Sequence, residues 1–308
     1  MIATHTPAIA GFAMRDGIYF PAEGYSPQAL AQKHLWDKLG KTYYDSAKIE
    51  QLEISPELHQ DHTILAGKLG PFWQDFPEFL QVENLLDIGT GYGLLPLRLS
   101  KEKSLRCDRF FGIDISESLL RRLQTFKAVY DFLPGSDFYL FCASAETLPI
   151  PNQSIDLVLS NCVFMHLTEG QVKAVLAEVR RVLKPGGAFV FHHSFHNRRC
   201  PAHQVANGLR RLLGRHLNPL YLRQYSASEI DGLIQASGLA AVCPRYRVAP
   251  TTEYALLPRH LRGRPVPLAQ TVNHWVRRPP RAWRDRLAYG YSVYSEPLGQ
   301  PQRWEASG

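Results

Sequence analysis

Three glycines stand at every second position after an apolar run in LLDIGTGYG, residues 85–93. A glycine-rich turn after a strand lets a ligand approach the backbone, and in dinucleotide-binding folds it holds a pyrophosphate at a helix N-terminus. Two residues argue against a pyrophosphate here. Leu94 stands where a pyrophosphate-binding turn needs a small residue. The carboxylate of Asp87 would repel phosphate. The turn therefore favours a ligand with a positive charge.

Histidines after two later apolar runs are the candidate proton acceptors. His166 lies in FMHL, and FHHSFHN contains His192, His193 and His196. An imidazole is suited to removing a proton near neutral pH. In a strand, His192 and Ser194 would share one face while His193 points to the other. We expect His166 and His193 to be the catalytic candidates, with a histidine that only holds its loop as the alternative.

A metal site is not expected at these histidines. Histidine and cysteine are good ligands for zinc and iron, and Cys200 follows the histidines, but the spacing matches no helical or zinc-knuckle pattern. The five cysteines are odd in number and scattered, with no C-x-x-C pair. This pattern favours reduced thiols over a disulfide framework or a zinc site.

Short apolar runs alternate with helical periods between residues 83 and 194, which predicts a parallel sheet covered by helices. The expected fold is α/β, a Rossmann-like, doubly wound, mostly parallel seven-stranded sheet with helices on both faces. The strands are expected near 84–88, 109–115, 137–143, 154–160 and 187–193, with helices that begin at Leu94, after Ser116 and at 169–183. Thr168 and Gln171 predict a capping box at the start of the last helix.

The segments on either side of this core are expected to surround its ligand site. A helix is predicted near 27–39, a capping box at Ser226 and Glu229, and a strand at 240–247. The predicted organisation is an N-terminal helical cap or lid at 1–75, a core at 76–247 with a basic helical stretch at 198–223, a Pro/Arg-rich insertion at 248–287, a final strand at 288–298 and a tail at 299–308.

The segment LLDIGTGYG resembles the first motif of class I S-adenosylmethionine-dependent methyltransferases, and four later segments match that family in order. FFGIDIS resembles the second motif, FCASAETLPIPNQSIDLVLSNCVFMHL the adjoining third and fourth, and RVLKPGGAFVF the helix, turn and strand that follow. The resemblance covers roughly residues 80 to 195. It implies S-adenosylmethionine as the cofactor, S-adenosylhomocysteine as its product, and methyl transfer as the activity.

The resemblance also implies a role for each matching residue. Asp87 would hold the ammonium of the cofactor, and Asp114 would accept hydrogen bonds from its ribose hydroxyls. Ser144 stands where the family commonly has an acid that accepts a hydrogen bond from the adenine amine; a serine hydroxyl can also accept it. The expected cofactor-binding residues are Asp87, Gly89, Thr90, Gly91, Gly93, Asp114, Ile115, Ser144, Ala145, Glu146, Asn161, Cys162 and Tyr43, the last as part of the lid.

The charge distribution bears on the methyl acceptor. The net charge is +7, but residues 185–308 carry 17 Arg, no Lys and 6 acids, whereas the preceding residues are net acidic. The appendages resemble those of small-molecule methyltransferases, including quinone and natural-product enzymes, so we expect a small-molecule acceptor, with an anionic molecule as one candidate. The arginines that offer an anion site are Arg198, Arg199, Arg210, Arg211, Arg215 and Arg223.

Two alternatives remain for the function. A basic run with interleaved tryptophans at 275–286 favours methylation of RNA or protein, although no RNA-binding module is recognisable. A cofactor-binding protein that does not methylate, or a cyclase, would use the same fold.

The location and assembly of the protein follow from absences in the sequence. The N-terminus lacks the basic start and apolar core of a secretion signal, and no stretch reaches the length of a membrane span. We therefore expect a cytoplasmic protein, either a monomer or a homodimer.

Overall fold

The computed structural model describes residues 9–43, 77–213, 222–251, 255–257, 260–261, 264–276 and 279–295. Residues 277–278 of the basic run, Arg215 and the tail at 299–308 lie outside the described residues, as does most of the predicted lid. Tyr43 is the last residue of a helix, and its side chain also lies outside the description.

Twelve strands and nine α-helices are found along the described residues. The strands are β1 (Phe12–Arg15), β2 (Ile18–Pro21), β3 (Gln81–Ile88), β4 (Arg106–Asp114), β5 (Asp137–Cys142), β6 (Ile155–Asn161), β7 (Leu183–Asn197), β8 (Gln224–Tyr225), β9 (Tyr246–Pro250), β10 (His260–Leu261), β11 (Arg264–Pro265) and β12 (Gly290–Ser295). The helices are α1 (Pro27–Tyr43), α2 (Leu94–Lys103), α3 (Glu117–Tyr130), α4 (Glu169–Val182), α5 (Pro201–Leu213), α6 (Ala227–Ala236), α7 (Leu239–Val242), α8 (Pro267–His274) and α9 (Arg281–Leu287).

The chain divides into two compact units. The first comprises residues 1–161, 178–189 and 297–308, and the second comprises 162–177 and 190–296. Strand β7 and helix α4 each begin in one unit and end in the other.

The first unit is built on a parallel sheet with the strand order β1-β2-β5-β4-β3-β6-β7. Strand β3 pairs in parallel with β4 on one side and with β6 on the other. Leu85, Leu86 and Ile88 of β3 are fully buried, as expected for a central strand covered on both faces. The strand order reverses at β3, and ligands of open α/β sheets bind beyond the carboxyl ends of the strands at such a point.

An antiparallel hairpin of β1 and β2 extends this sheet beyond β5. Asp16 and Gly17 have positive φ angles of 50° and 77°, which fits the two-residue turn that Asp-Gly favours between strands. Tyr19 of β2 stacks on Phe141 of β5 with ring centroids 4.9 Å apart. The hairpin was not predicted, although the Asp-Gly pair between apolar residues in FAMRDGIYF is the signal that would have found it.

In the second unit, β7 pairs antiparallel with β12, β12 pairs antiparallel with β9, and β8 pairs with the end of β7. The α/β fold class is confirmed, but the predicted strand number is wrong. Over the described residues, ten strands take part in the sheet instead of seven, because β1, β2 and β8 are added.

No helix in the described part of the chain is long and apolar enough to cross a membrane.

The strand predicted at 240–247 is found as β9 at Tyr246–Pro250, so its predicted start is wrong, because the apolar run there is helical. Gly238 has a φ of 72°, and the short helix α7 follows it before β9 begins at Tyr246. The run contains two alanines, which favour helix over strand.

Both predicted capping boxes are confirmed. The Gln171 side chain accepts a hydrogen bond from the Thr168 backbone N–H at 3.1 Å, and the Gln171 N–H donates to the Thr168 hydroxyl at 3.4 Å. Ser226 and Glu229 make the same reciprocal pair at the start of α6. Each box satisfies backbone groups that a helix start leaves without intrahelical partners.

We predict that Gly93→Ala destabilises the protein by about 2–4 kcal/mol. Gly93 has a φ of 80°, and a Cβ there would lie 2.9 Å from Leu123 Cγ and 3.1 Å from Phe132 Cζ, both in fully buried side chains. The matched control is Gly135→Ala, with a φ of 84° and no atom within 4 Å of the added Cβ, for which we expect about 1–2 kcal/mol. Guanidinium unfolding measures both, and equal losses would contradict the packing argument.

Candidate functional site

The glycine turn joins β3 to α2 and is fastened to the end of β4. The N–H groups of Gly89 and Thr90 both donate to the Ile113 carbonyl, at 2.8 and 3.0 Å, and the Gly93 N–H donates to the Thr90 carbonyl at 2.9 Å. The φ angles of Gly89 and Gly91 are 65° and 56°, in the region that side chains disfavour. These bonds fix the turn at the carboxyl edge of the sheet in the first unit.

The glycines of the turn have two different surroundings. A Cβ on Gly91 would meet no atom within 4 Å, whereas a Cβ on Gly93 would meet Leu123 at 2.9 Å. Gly93 therefore serves close packing of α2 on α3. Gly91 leaves open space beside its backbone, which fits the approach of a ligand.

Asp87 is a buried carboxylate one residue before the end of β3. Its residue is 2% exposed, and no salt bridge of the described residues reaches it. Burial raises the pKa of Asp87 to about 7, the negative charge of Asp114 adds to the increase, and the Thr90 hydroxyl opposes it. A cation placed beside Asp87 would relieve the cost of burying its charge.

Asp114 closes β4 and is held by the turn and by the start of α3. Its Oδ2 accepts a hydrogen bond from the Gly91 N–H, and its Oδ1 accepts one from the Ser116 N–H, each at 2.8 Å. Burial raises the pKa of Asp114 to about 6, although these two hydrogen bonds oppose the increase. Asp114 keeps part of its surface exposed, so its carboxylate is both oriented and accessible.

The segment after β5 carries the residues expected at the adenine. The Ala143 N–H donates to the Asp114 carbonyl at 3.0 Å, which places this segment beside Asp114 and Ile115. Ser144 Oγ donates to Glu146 Oε1 at 3.0 Å, and the Glu146 N–H donates to Ser144 Oγ at 3.3 Å. A carboxylate, that of Glu146, thus lies within hydrogen-bond distance of the Ser144 hydroxyl.

Asn161 and Cys162 follow each other along the chain but fall in different units. Asn161 ends β6 in the first unit, and Cys162 begins the second, exposed and with a φ of 59°. The Cys162 N–H donates to the His192 carbonyl at 3.1 Å within the second unit. Cys162 is therefore fixed by β7.

His166 lies in the second unit at the end of a short 3₁₀ helix, Phe164–His166. Phe164 is fully buried and stacks on Phe195 of β7 with ring centroids 5.2 Å apart and planes 7° apart. The turn that carries His166 is therefore anchored by an aromatic contact, while the imidazole is only partly buried.

His193 also lies in the second unit, at a β-bulge in β7. Tyr291 faces Phe195 and Val293 faces Phe191, so three residues of β7 lie opposite Ser292 alone. The φ of His193 is 44°, and its N–H donates to Ser292 Oγ at 3.1 Å. The prediction that His192 and Ser194 share one face while His193 points to the other assumes a regular strand, and the bulge interrupts that regularity at these residues.

The histidines of β7 belong to a larger aromatic cluster that the sequence did not indicate. His196 stacks on His203 of α5 with centroids 4.5 Å apart, and His203 Nε2 lies 2.8 Å from the Tyr289 carbonyl oxygen. The ring centroids of Tyr289 and His193 lie 5.8 Å apart. Tyr289 is far from β7 in sequence, and the contact of His203 with His196 spans the turn between β7 and α5, so no strand or helix period reveals the cluster. Among the residues that the structure describes, no group of three or more metal-ligating side chains is found.

Three arginines proposed for anion binding are already paired with acids in the second unit. A guanidinium nitrogen of Arg198 lies 2.7 Å from Glu229 Oε1. The corresponding distances are 3.1 Å from Arg199 to Asp285 Oδ2 and 2.7 Å from Arg223 to Glu169 Oε2. The side chains of Arg210 and Arg211 lie outside the description. The charge of the paired arginines is therefore balanced within the fold.

We predict that Asp87→Asn stabilises the protein without ligand at pH 8. An Asp ordinarily titrates near pH 4, so between about pH 4 and 7 the native state holds a proton that the unfolded state has lost. The stability of the native protein therefore falls as pH rises through 7, and the Asn variant lacks this loss. The free energy of unfolding of the variant should exceed that of the native sequence at pH 8, and this difference should shrink by about 2–3 kcal/mol between pH 8 and pH 5.

Guanidinium unfolding of both proteins at the two pH values measures this difference. The control is Asp137→Asn, at the exposed start of β5, which should show no comparable change with pH. A difference between Asp87→Asn and the native sequence that is independent of pH would contradict the burial of a titrating carboxylate.

Residues 86–191 match the family described as Methyltransferase domain. Malonyl-[acyl-carrier protein] O-methyltransferase of Methylovorus sp. is 27% identical over 55% of this chain and 52% of that protein. Dimethylglycine N-methyltransferase of Parasynechococcus marenigrum is 34% identical over 35% of this chain and 36% of that protein.

The chain spans about half the length, or less, of these two relatives. A solved structure of magnesium protoporphyrin IX methyltransferase from Synechocystis PCC 6803 with bound SAH is 15% identical over 69% of this chain and 90% of that chain, with a TM-score of 0.45. The motif order and the sheet agree with the family match, and residues 86–191 are the part of the chain that matches a methyltransferase domain.

Proposed function

We propose that this chain transfers the methyl group of S-adenosylmethionine to a small-molecule acceptor. The observation that carries the proposal is the pair of carboxylates, Asp87 and Asp114, on the two sides of a turn that is open at Gly91. A ligand with a cationic end and a ribose would match both carboxylates. When bound, S-adenosylmethionine supplies a methyl group already activated on a sulfonium.

Each part of the cofactor has a matching group in the first unit. The Asp87 carboxylate would hold the ammonium through a charge-assisted contact, and Asp114 would accept hydrogen bonds from the ribose hydroxyls. Helix α2 begins after Gly93, which has no side chain to cap it, so the first N–H groups of the helix suit the cofactor carboxylate. Ile115 would pack against the adenine, with Ser144 and Glu146 beside it.

The proposal of a small-molecule acceptor is supported by relatives whose names give O- and N-methylation of small chemical groups, one free and one carried on a protein. One is named for malonyl-[acyl-carrier protein] and another for dimethylglycine, so the acceptor atom differs among them. We assign no anion-binding role to Arg198, Arg199 or Arg223, since each is paired with an acid.

The chain contributes to the transfer mainly by alignment. Methyl transfer from a sulfonium is an in-line displacement, and holding the acceptor in line and excluding water supply much of the rate. An acceptor hydroxyl or protonated amine must also lose a proton, for which His166 and His193 are the proposed bases. The strained backbone at His193 supports this assignment, because such strain concentrates at functional sites.

Calorimetry with S-adenosylhomocysteine tests the cofactor site. We expect Asp114→Ala to weaken binding by about 1–3 kcal/mol, because a charged hydrogen-bond acceptor is lost. Asp137→Ala, which removes an exposed carboxylate from the start of the neighbouring strand, should bind as the native protein does. Unchanged affinity in a folded Asp114→Ala variant would sink the assignment of Asp114.

Methylation assays with candidate acceptors test the proposed bases. Replacing the catalytic histidine, by His166→Ala or His193→Ala, should lower kcat by about 10²–10⁴-fold while the affinity for S-adenosylhomocysteine stays unchanged. His274→Ala, at the exposed end of α8, is the control and should keep full activity. A kcat within twofold of the native value for both histidine variants would exclude them as the base.

A further inference from the structure

Helix α1 contacts the start of α3 directly after Asp114. Asp37 Oδ1 accepts hydrogen bonds from Ser116 Oγ at 2.8 Å and from the Ser118 N–H at 3.1 Å. The helices approach closely at Gly40, where an added Cβ would lie 2.8 Å from Ser118 Oγ. The carboxylate of Asp37, in the N-terminal segment, thus binds the first turn of α3, the helix that follows Asp114.

Ser116 is shared between the two carboxylates. Its N–H donates to Asp114 Oδ1 at 2.8 Å, while its hydroxyl donates to Asp37 Oδ1. Ser116 is also the N-cap of α3 and is fully buried. Because a buried residue cannot shift independently of its partners, a change at Asp37 is transmitted to the group that orients Asp114.

Lys33 holds Asp37 from the opposite side. Its Nζ lies 2.6 Å from Asp37 Oδ2 and 3.7 Å from Glu117 Oε2, and its side chain is only 12% exposed. The two carboxylate oxygens of Asp37 therefore have different partners. Oδ2 pairs with Lys33 one turn earlier on α1, and Oδ1 faces Ser116 and Ser118.

We propose that Asp37 is a positioning residue that sets the orientation of Asp114 toward the cofactor ribose through Ser116. The inference rests on the proposed function, in which Asp114 receives the ribose hydroxyls. It adds that the docking of α1 and the binding of the cofactor are coupled. By thermodynamic linkage, bound cofactor then stabilises the docked helix as much as the docked helix favours the cofactor.

Calorimetry with S-adenosylhomocysteine on the full chain tests the proposal. We expect Asp37→Ala to raise Kd about tenfold, the scale of one lost charged hydrogen bond. Asp37→Asn keeps an oxygen that accepts from Ser116 and Ser118 but loses the ion pair with Lys33, so it should retain most of the affinity. Ser116→Ala, which keeps the backbone N–H to Asp114, should reproduce the loss and serves if Asp37→Ala does not fold.

A double-mutant cycle separates positioning from general destabilisation. In an Asp114→Asn background, Asp37→Ala should change Kd by less than about twofold, because the residue through which it acts is already altered. The matched control is Tyr25→Phe, which removes the 2.5 Å hydrogen bond from the Tyr25 hydroxyl to the Cys142 carbonyl. That bond fastens the same N-terminal segment without involving Ser116, so its effect should be equal in both backgrounds.

Two results would overturn the inference. One is a folded Asp37→Ala variant with native affinity, and the other is an effect of Asp37→Ala that is the same in both backgrounds. Failure of the proposed function looks different, since the native protein would then not bind S-adenosylhomocysteine or Asp114→Asn would bind it equally well. In that case the inference about Asp37 is overturned with it.

Discussion

The burial of two like charges at the ends of neighbouring strands is the constraint on which the first unit depends. Burial raises the pKa of both Asp87 and Asp114 toward neutrality; the charge of Asp114 adds to the increase at Asp87, and the charge of Asp37 adds to the increase at Asp114. No fold gains stability from such a pair. Its retention at the edge where open α/β sheets bind ligands is understandable when a cationic ligand completes the site.

The register of the sheet sets where these charges lie. Asp87 pairs with Gly112 and Ile88 with Ile113, so the two strands end together and the turn after β3 reaches the Ile113 carbonyl. Gly112 lets β4 approach its surroundings closely, since a Cβ there would lie 3.0 Å from Leu140 and 3.2 Å from Thr90. The pairing of β3 with β4 thus sets the position of the site, and the glycine turn is held in place by the end of β4.

The parts of the fold that depend on local signals were predictable from the sequence. The glycine turn, the β3 strand and the two capping boxes each follow from residues within a few positions of one another. The bulge at His193 depends on pairing with β12, about 100 residues away in sequence, and the stacking of His196 on His203 depends on how α5 packs after β7, which no strand or helix period contains. The run at 239–242 was ambiguous because four apolar residues suit a short helix as well as a strand.

The candidate site shows the same division. Asp87, Gly91 and Asp114 were found from motif positions, whereas Asp37 was not, because it lies 79 residues from Ser116 in sequence. Its role is visible only where α1 meets α3. Glu146 was named for its place in the motif, but its hydrogen bond with Ser144, which places a carboxylate beside position 144, is visible only in the structure.

The hairpin of β1 and β2 has a consequence for the colloidal behaviour of the protein. Without it, β5 would be an outer strand of apolar and aromatic residues with unpaired backbone groups, the arrangement that invites pairing between molecules. β2 satisfies β5 at Leu140 and Phe141, and the short β1, with three exposed residues of its four, becomes the outer edge instead. The Asp-Gly turn therefore protects the sheet against association through β5.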